Sequence, residues 1–383
     1  MGNHERQAGG EQAASSTAAL DPVSLAQRDL RSRREEYIWA MPGPFAKRLR
    51  AMLADPRDEP AAYLLCNQLL LVVPAVVLLF LFNRNHWVGV LYLVANYALF
   101  LQRFMLTLHV TQHRRLFRQE FSYLNALIPY VLSNLYGVPM GFYRPHHVVM
   151  HHVEDNWSPG DLTATDAVPR NSLPHFARYW MRFLLGTWFE LPAYLARKGR
   201  SGEAVATALS GAAYWAGIAA LWRVNPVATL WSLLVPLLVS TFALMFGNWS
   251  QHVFVDPDEP RNVYRSTYNC MDCFDNRRTY NDGYHVIHHL NSRLHWSEMP
   301  QKFIDTLQAH DDNDALAFRG IGFFDVGVMV FTGQLDKLAS HIVPCGPKQA
   351  ARSREEWVAL LRHRLQPCRR RAQVPKSAMA AAS

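Results

Sequence analysis

The chain has 383 residues, 50% of them hydrophobic, and a formal net charge of +8. This length allows one large domain or two ordinary ones, and it excludes a protein with only a marginal core. The mean hydropathy of −0.09 averages long apolar stretches with polar segments, so it does not indicate a soluble protein. The basic residues crowd beside the apolar stretches, where attraction to anionic lipid headgroups explains them better than nucleic-acid binding does.

The N-terminal region is expected to precede the first membrane span. Residues 1–21 are polar and rich in Ala, Gly and Ser, so we expect them to be disordered and to lack a signal peptide. The Met1-Gly2 start is compatible with myristoylation, but Arg6 stands where that motif requires Ser or Thr. Residues 22–59 are expected to be a cytoplasmic, interfacial amphipathic segment that opens with a helix capped by Asp21.

Four apolar stretches are each long enough to cross a membrane as a helix. They are residues 61–82, 87–105, 204–222 and 226–247. The loops within each pair are very short, which predicts two helical hairpins. Arg and Lys flank the outer ends of the hairpins, so the positive-inside rule places both termini and the long loops in the cytoplasm. We therefore predict an all-α integral membrane protein with four transmembrane helices and a cytoplasmic helical cap.

The remaining segments are assigned by their composition. Residues 121–140 are apolar but interrupted by Pro and Gly, which favours a short interfacial or re-entrant element. Residues 176–195 mix Trp and Phe with Arg and Glu, which is typical of a helix in the headgroup region. Residues 248–340 are expected to form the cap, and residues 341–383 a basic C-terminal tail that is loosely helical from about residue 349.

Eight histidines fall into three clusters at the predicted cytoplasmic ends of the apolar stretches. They are His109 and His113, then His147, His151 and His152, then His285, His288 and His289. Residues three or four apart share one helix face, and neutral imidazole is the commonest metal-ligating side chain, so each cluster can direct several nitrogens to one point. Asn248 and His252 show the same spacing at the end of the fourth stretch. We predict His252 as a ninth ligand and Asn248 as a ligand, directly or through a water.

So many imidazoles are too many for one metal ion. A structural zinc site is satisfied by four ligands and usually includes thiolates, whereas this set suits two first-row ions with open positions. Two irons can take up dioxygen and two electrons and generate an oxidant able to attack an unactivated methylene, and a membrane offers long acyl chains as the substrate.

Other candidate ligands are less clear. The single CxxC motif of Cys270 and Cys273 fits a metal or redox role as well as two incidental thiols. His146 and His295 lie beside the clusters and could serve either the metal or the fold. The isolated histidines are expected to be structural or solvated; they are His4, His86, His175, His310, His341 and His363.

The order of HVTQH at 109–113, HVVMHH at 147–152 and HVIHH at 285–289 resembles the membrane fatty acid desaturases. The sequence NDGYHVIHHLNSRLHWSEMP is similar to the third-box region of that family, and Asn248 with His252 resembles the extra ligands of its acyl-CoA branch. The resemblance implies a desaturase-like membrane domain over residues 60–340, a non-haem di-iron centre, dioxygen, and insertion of a double bond into a lipid or acyl-thioester chain.

Two departures from the family pattern keep alternatives open. The first box has three residues between its histidines, whereas the acyl-CoA branch usually has four. The chain therefore resembles lipid-linked desaturases and hydroxylases equally well. No His-Pro-Gly-Gly haem motif is present, which implies a separate electron donor, either a b-type cytochrome or a ferredoxin with its reductase. A membrane hydroxylase of a lipid, sphingoid or alkyl chain is the alternative, and a metal-binding transporter is a remote one.

Residues beside the boxes are candidates for supporting roles. Carboxylates that could orient the imidazoles are Asp155, Asp282 and Glu298. Aromatic residues that could line a tunnel for the chain are Trp157, Trp249, Tyr284 and Trp296. Topology and family together suggest the endoplasmic reticulum membrane in a eukaryote or the plasma membrane in a bacterium.

Overall fold

The computed structural model describes residues 21–368, and it is mostly helical. The expected disordered N-terminus lies outside the described residues except for Asp21, and so does the end of the basic tail from residue 369 onward. Asp21 does cap the first helix, because its carboxylate accepts a hydrogen bond from the backbone N–H of Ser24 at 3.2 Å.

The longer and site-bearing helices follow one another from the N-terminus to the C-terminus. They are α1 (Pro22–Arg31), α2 (Gly43–Met52), α3 (Pro56–Phe82), α4 (His86–His113), α5 (Pro145–His151), α6 (Leu173–Arg197), α7 (Ser201–Val224), α8 (Pro226–Gln251), α9 (His285–Leu290), α10 (Phe323–Phe331) and α11 (Arg354–His363). Short helices and turns connect them; they are Gln119–Ala126, Leu127–Val131, Leu132–Tyr136, His152–Glu154, Val263–Ser266, Phe274–Arg277, Trp296–Glu298, Met299–Asp305, Leu307–Asp312, Leu335–His341 and Pro347–Ala350.

A small sheet accompanies the helices. Strands β1 (Tyr268–Met271) and β2 (Leu316–Arg319) pair in parallel, with Tyr268 opposite Leu316. The sequence prediction of an all-α chain missed this sheet, because two four-residue strands in a long polar region give too short a pattern to recognise. The sheet is buried and lies beside α9, so it helps to position the third histidine cluster.

Helices α3, α4, α7 and α8 are long and apolar enough to cross a membrane. Large side chains on their outer faces remain exposed, for example Phe82 at 76% and Leu91 at 69%. Such faces are unfavourable in water and suit a hydrocarbon environment. The apolar helices therefore agree with the four stretches that the sequence predicts.

Asn225 joins the two pairs of apolar helices. Its buried amide nitrogen donates to the carbonyl oxygens of Leu79, Phe80 and Asn83 at the end of α3. Its Oδ1 atom accepts from Ala228 N and so caps the start of α8. One polar side chain thus satisfies two helix ends in an apolar region.

Helix α6 runs along the apolar helices. It covers the stretch that the sequence assigns to an interfacial helix, and it packs mainly against α7 and α8. At residues 121–140, where the sequence predicts an interfacial or re-entrant element, the chain forms short helical turns that end at Gly137 with φ +66°. A Cβ on Gly137 would lie 2.3 Å from the carbonyl oxygen of Pro236, so both conformation and space require glycine.

The polar region after α8 packs onto the ends of the apolar helices. α10 lies against α8, and a Cβ at Gly327 would come within 2.1 Å of Ser250 Oγ, so glycine permits this close approach. In the C-terminal segment, α11 buries Trp357, Val358 and Leu361 in the same core as α8 and α10. The described part of this segment is therefore packed against the rest of the protein.

Arg170 connects three separate parts of the chain. Its side chain is fully buried, and the guanidinium donates to the carbonyl oxygens of Val253 and Val255 at 2.9 Å each. It also donates to the carbonyl oxygens of Arg364 at 2.7 Å and Gln366 at 2.6 Å. A charged side chain with so many donors satisfies carbonyl groups that would otherwise be buried without partners.

Replacing Arg170 with Met is expected to destabilise the fold by at least about 3 kcal/mol, because it strands several buried carbonyl groups at about 1–3 kcal/mol each. The free energy of unfolding or the melting temperature in detergent measures this loss. Arg354→Met is the matched control, since Arg354 is exposed and donates to one carbonyl oxygen, that of Asp336. Equal stability of the two variants would contradict this role of Arg170.

Candidate metal centre

The clustered histidines lie on four different elements of the fold. The last turns of α4 carry His109 and His113, α5 and the following turn carry His147, His151 and His152, His252 follows α8, and α9 carries His285, His288 and His289. α4 runs through both of its histidines without a break, so their imidazoles project from one face. All nine imidazoles belong to one continuous group of neighbouring rings.

Five Nε2 atoms form a continuous run within this group. The separations are 3.0 Å for His113 to His147, 3.1 Å for His147 to His152, 3.1 Å for His152 to His288 and 3.1 Å for His288 to His109. Nitrogens bonded to one metal ion at about 2.0–2.1 Å lie about 2.9–3.4 Å apart when they are 90–109° from one another. The consecutive spacing is that of neighbouring ligands on one ion, and the ligand atoms of His109, His113, His147 and His288 all lie within 4.8 Å of one another.

A second set of nitrogens belongs to His151, His252 and His289. Their nearest ligand atoms all lie within 4.8 Å of one another. In each ring an oxygen lies near Nδ1: Asp161 Oδ2 at 2.7 Å from His151, the Ser266 carbonyl at 2.9 Å from His252, and Asp155 Oδ1 at 3.3 Å from His289. An oxygen that fixes Nδ1–H leaves Nε2 as the free lone pair, which is how proteins orient metal-ligating histidines.

His285 lies between the two sets. Its ring centroid is 4.8 Å from that of His289 and 5.6 Å from that of His288. It is 2% exposed, and neither of its nitrogens has a hydrogen-bond partner among the described residues. The Nε2 atoms of His252 and His289 are also buried without partners. Buried nitrogens without partners are costly, so a bound metal ion explains them.

The electrostatic environment favours neutral imidazoles, the form that binds metals. Burial, and then the charges of neighbouring histidines, lower the pKa of His147, His285 and His288 well below its ordinary value. His151 differs: burial lowers its pKa, but the Asp161 carboxylate more than offsets this, so the pKa is raised. The donor set of imidazoles without thiolates suits first-row metal ions with open coordination positions.

Asn248 lines the same cavity as His147, His151 and His285. Its amide nitrogen donates to Tyr179 Oη at 2.8 Å and to the carbonyl oxygen of Thr163 at 3.2 Å. The carbonyl oxygen is therefore the ligand atom that this amide can offer. The proposed role of Asn248, directly or through a water, depends on that oxygen.

Two of the three carboxylates expected from the sequence lie beside the histidines. Asp155 contacts His289, and Asp282 Oδ1 lies 3.8 Å from His285 Nδ1. Burial, and then Asp275, raise the pKa of Asp282 to about 7. Glu298 instead forms an ion pair with Arg57, away from the histidines. Asp161, which makes the shortest contact, was not predicted, because nothing in the sequence distinguishes it from other aspartates in its loop.

An apolar cavity of about 720 Å³ reaches the histidines. His109, His147, His151 and His285 form part of its wall. Apolar side chains from α4, α6 and α8 continue the wall; they include Leu101, Met105, Leu184, Trp188, Leu237 and Leu244. This volume lies within the range of ligand-binding cavities, about 300–1,000 Å³.

The four aromatic residues expected to line a tunnel are not part of this cavity wall. Trp249 and Tyr284 are fully buried, and donate to the Arg170 carbonyl and to Asp29 respectively. Trp296 donates to Asp58 Oδ1, and Trp157 lies under the guanidinium of Arg261. These four side chains pack within the fold away from the cavity wall, whereas the wall residue Trp188 comes from α6.

The structure also places the histidines and cysteines whose roles are ambiguous from the sequence. His295 Nε2 contacts Asp58 Oδ1 at 3.1 Å and so fixes the loop after α9 to the start of α3. His146 lines the cavity and lies 3.4 Å from Thr163 Oγ1. Cys270 and Cys273 are free, buried thiols in the cavity wall, and neither belongs to a group of converging ligand atoms.

Asp29 on α1 holds the start of the third histidine cluster. Its Oδ2 atom accepts hydrogen bonds from Tyr284 Oη at 2.6 Å, Asp272 N at 2.9 Å and Asn276 Nδ2 at 3.1 Å. Tyr284 directly precedes His285, so a helix in the N-terminal segment fixes the position from which α9 begins. No local sequence pattern indicates this contact across more than 200 residues.

A family model, "Fatty acid desaturase", matches residues 85–309, which is more than half of the chain. The chain therefore belongs to the fatty acid desaturase family, as its histidine boxes suggest, and membership implies an oxidoreductase. The matched range includes all nine histidines and Asn248. Searches of curated proteins and of solved structures found no match.

The metal content tests the ligand set directly. His288→Ala removes the nitrogen that lies 3.1 Å from both His109 and His152, so we expect the purified protein to bind less metal. Elemental analysis of protein purified after growth with iron measures this. His86→Ala is the control, because His86 is exposed at the other end of α4, about 40 Å away by helix rise. Equal iron content in both variants would refute the assignment.

The contacts to Nδ1 predict how strongly substitution of each of three acidic residues weakens iron binding. Asp161→Ala should weaken iron binding about 10–100-fold, because His151 loses the carboxylate that fixes its tautomer. Asp155→Ala should have a smaller effect, since its contact to His289 is longer and partly exposed. Glu298→Ala should leave binding unchanged. Titration of the apo-protein with ferrous iron gives the ranking, and a Glu298 variant as weak as the Asp161 variant contradicts it.

Proposed function

We propose that the protein is a dioxygen-dependent desaturase that inserts a double bond into a long lipid acyl chain at a di-iron centre. The observation that carries this proposal is the meeting of two sets of imidazole nitrogens with an apolar cavity of about 720 Å³. Family membership supports fatty acid modification. The cavity supports a substrate with a long apolar part, since burial of each methylene contributes about 0.8 kcal/mol.

The proposed ligands divide into two sets. His109, His113, His147, His152 and His288 would hold one iron, and His151, His252 and His289 the other, with His285 between them and Asn248 beside them. When bound, the two irons supply the oxidant that removes two hydrogens from adjacent methylenes, while dioxygen and two external electrons and protons end as water.

The protein residues provide orientation and exclude water. Asp161 and Asp155 fix the Nδ1 atoms of His151 and His289, so their Nε2 atoms stay directed at the centre. The apolar side chains of α4, α6 and α8 limit the positions that a methylene chain can take beside the histidines. Holding the chain close to the reacting atoms is itself a large part of catalysis.

The proposed membrane topology follows from the positions of charge and histidines. α3 with α4, and α7 with α8, form two transmembrane hairpins. The histidine-bearing ends face the cytoplasm together with both termini, because Arg and Lys crowd at those ends. The polar region after α8 is then the cytoplasmic cap. We place the protein in the endoplasmic reticulum membrane of a eukaryote or the plasma membrane of a bacterium.

Electrons are proposed to come from a separate b-type cytochrome or from a ferredoxin with its reductase. The basic charge of the chain would attract an acidic donor. The alternative function is hydroxylation of a lipid, sphingoid or alkyl chain, favoured by the three-residue gap between His109 and His113. A transporter would need ligands along a path across the membrane, whereas α3, α7 and α8 contain no histidine.

Lipid analysis of a desaturase-deficient host that expresses the chain tests the proposal. We expect a lipid product lighter by two hydrogens, and its loss in the His288→Ala variant but not in His86→Ala. A product heavier by one oxygen would instead assign hydroxylation. Unchanged product formation by His288→Ala would reject a histidine-bound metal as the source of activity.

A further inference from the structure

The cavity opens to the surface between α4, the turn after β1 and the start of α10. Its exposed wall residues define the mouth: Ala98, Phe274, Gly320, Phe324 and Asp325. Phe274 is 56% exposed and Phe324 47%. Phe324 also lies beside Gly247, near the end of the apolar helix α8. Two exposed aromatic rings beside an apolar helix place the mouth where a lipid head would lie, at the membrane–water boundary.

Two carboxylates meet at Gly322 in this mouth. Asp325 Oδ2 accepts a hydrogen bond from Gly322 N at 2.9 Å. Asp275 Oδ1 accepts one from Gln102 Nε2 at 2.7 Å, and its Oδ2 would be 2.1 Å from a Cβ at position 322. Asp275 Oδ2 and Asp325 Oδ1 accept no hydrogen bond among the described residues. Each carboxylate therefore keeps one oxygen for a ligand.

Apart from the histidines, the acidic and basic side chains that line the cavity within the described residues are all aspartates. Three aspartates line it (Asp275, Asp282 and Asp325), and no Lys or Arg does so within residues 21–368, although the whole chain has 39 Lys and Arg. Arg278, beside the mouth, stacks on Phe274 with 4.2 Å from its guanidinium carbon to the ring centroid, and it lies 3.6 Å from Glu35. The wall thus offers acceptors and no cation of its own.

This charge pattern discriminates between lipid heads. A carboxylate or phosphate next to Asp275 and Asp325 would lose water and meet like charge, which is unfavourable. An ammonium or hydroxyl group would donate to the free oxygens, and hydrogen bonds to charged groups are the strong ones. The cavity itself defines the site, and the two carboxylates select what enters it.

We propose, resting on the desaturase function above, that the substrate is a long-chain amino alcohol lipid whose ammonium and hydroxyl groups bind Asp275 and Asp325 at the cavity mouth. A free fatty acid or an acyl-CoA is then not the preferred substrate. The apolar part of the lipid occupies the cavity beside the histidines. Asp275 and Asp325 determine specificity and take no part in the oxidation.

Binding to the iron-loaded, full-length protein in nanodiscs, without a reductant, tests this proposal. The probes are a saturated long-chain amino diol, the fatty acid of the same chain length, and its acyl-CoA, each measured by displacement of a fluorescent alkyl probe. We expect the amino diol to bind at least about tenfold more tightly than either anionic probe. Tighter binding of an anionic probe, or no binding of the amino diol, would overturn the proposal.

Isosteric variants test whether the two aspartates cause the preference for the amino diol. Asp275→Asn with Asp325→Asn should weaken binding of the amino diol about tenfold or more and narrow its advantage over the fatty acid. Asp336→Asn is the control, since Asp336 is exposed and distant from the cavity wall. The iron content and melting temperature of the variants must match those of the wild type. If the double variant fails to fold, the single variants and the wild-type preference for the amino diol still test the proposal. Unchanged selectivity in folded variants would refute the role of both aspartates.

The two proposals can fail separately. Selective binding of the amino diol without any double-bond product under reducing conditions would reject the desaturase function and keep the head-group assignment. A double-bond product made from a fatty acid or acyl-CoA in preference to the amino diol would keep the function and reject the assignment.

Discussion

The structure depends on holding many neutral imidazoles together in a buried space. Five Nε2 atoms lie 3.0–3.1 Å from their neighbours, and further nitrogens are buried without hydrogen-bond partners. A neutral imidazole nitrogen is either a donor or an acceptor, so hydrogen bonds alone satisfy such a run poorly. Metal ions satisfy it well, and the binding energy of those ions can offset the cost of bringing the elements together.

Several polar side chains hold those elements in place from outside the centre. Asn225 connects the two pairs of apolar helices, Arg170 joins the loop before α6 to the C-terminal segment, and Asp29 fixes the start of α9. Each is buried and forms at least three hydrogen bonds to distant parts of the chain. The centre therefore relies on residues far from it in sequence. Asp29 and the C-terminal segment that Arg170 contacts lie outside the matched family range.

The cavity and its mouth connect the centre to a lipid. Apolar walls suit a methylene chain, while the mouth carries carboxylates and no cation in the described part of the chain. In a protein with net charge +8, an acidic mouth is a local exception. The half-buried Asp275 and the exposed Asp325 are the carboxylates that a lipid head would meet at this mouth.

The sequence by itself determined the four apolar helices, the three histidine clusters with Asn248 and His252, and the family. These features depend on local composition and on spacing of three or four residues, which the helix period alone converts into geometry. Only the tertiary structure decided that Asp161 supports His151, that Glu298 does not reach the histidines, and that Trp188 lines the cavity in place of Trp249. Those roles depend on contacts between residues far apart in the chain, and no local pattern records which distant side chain fills a given space.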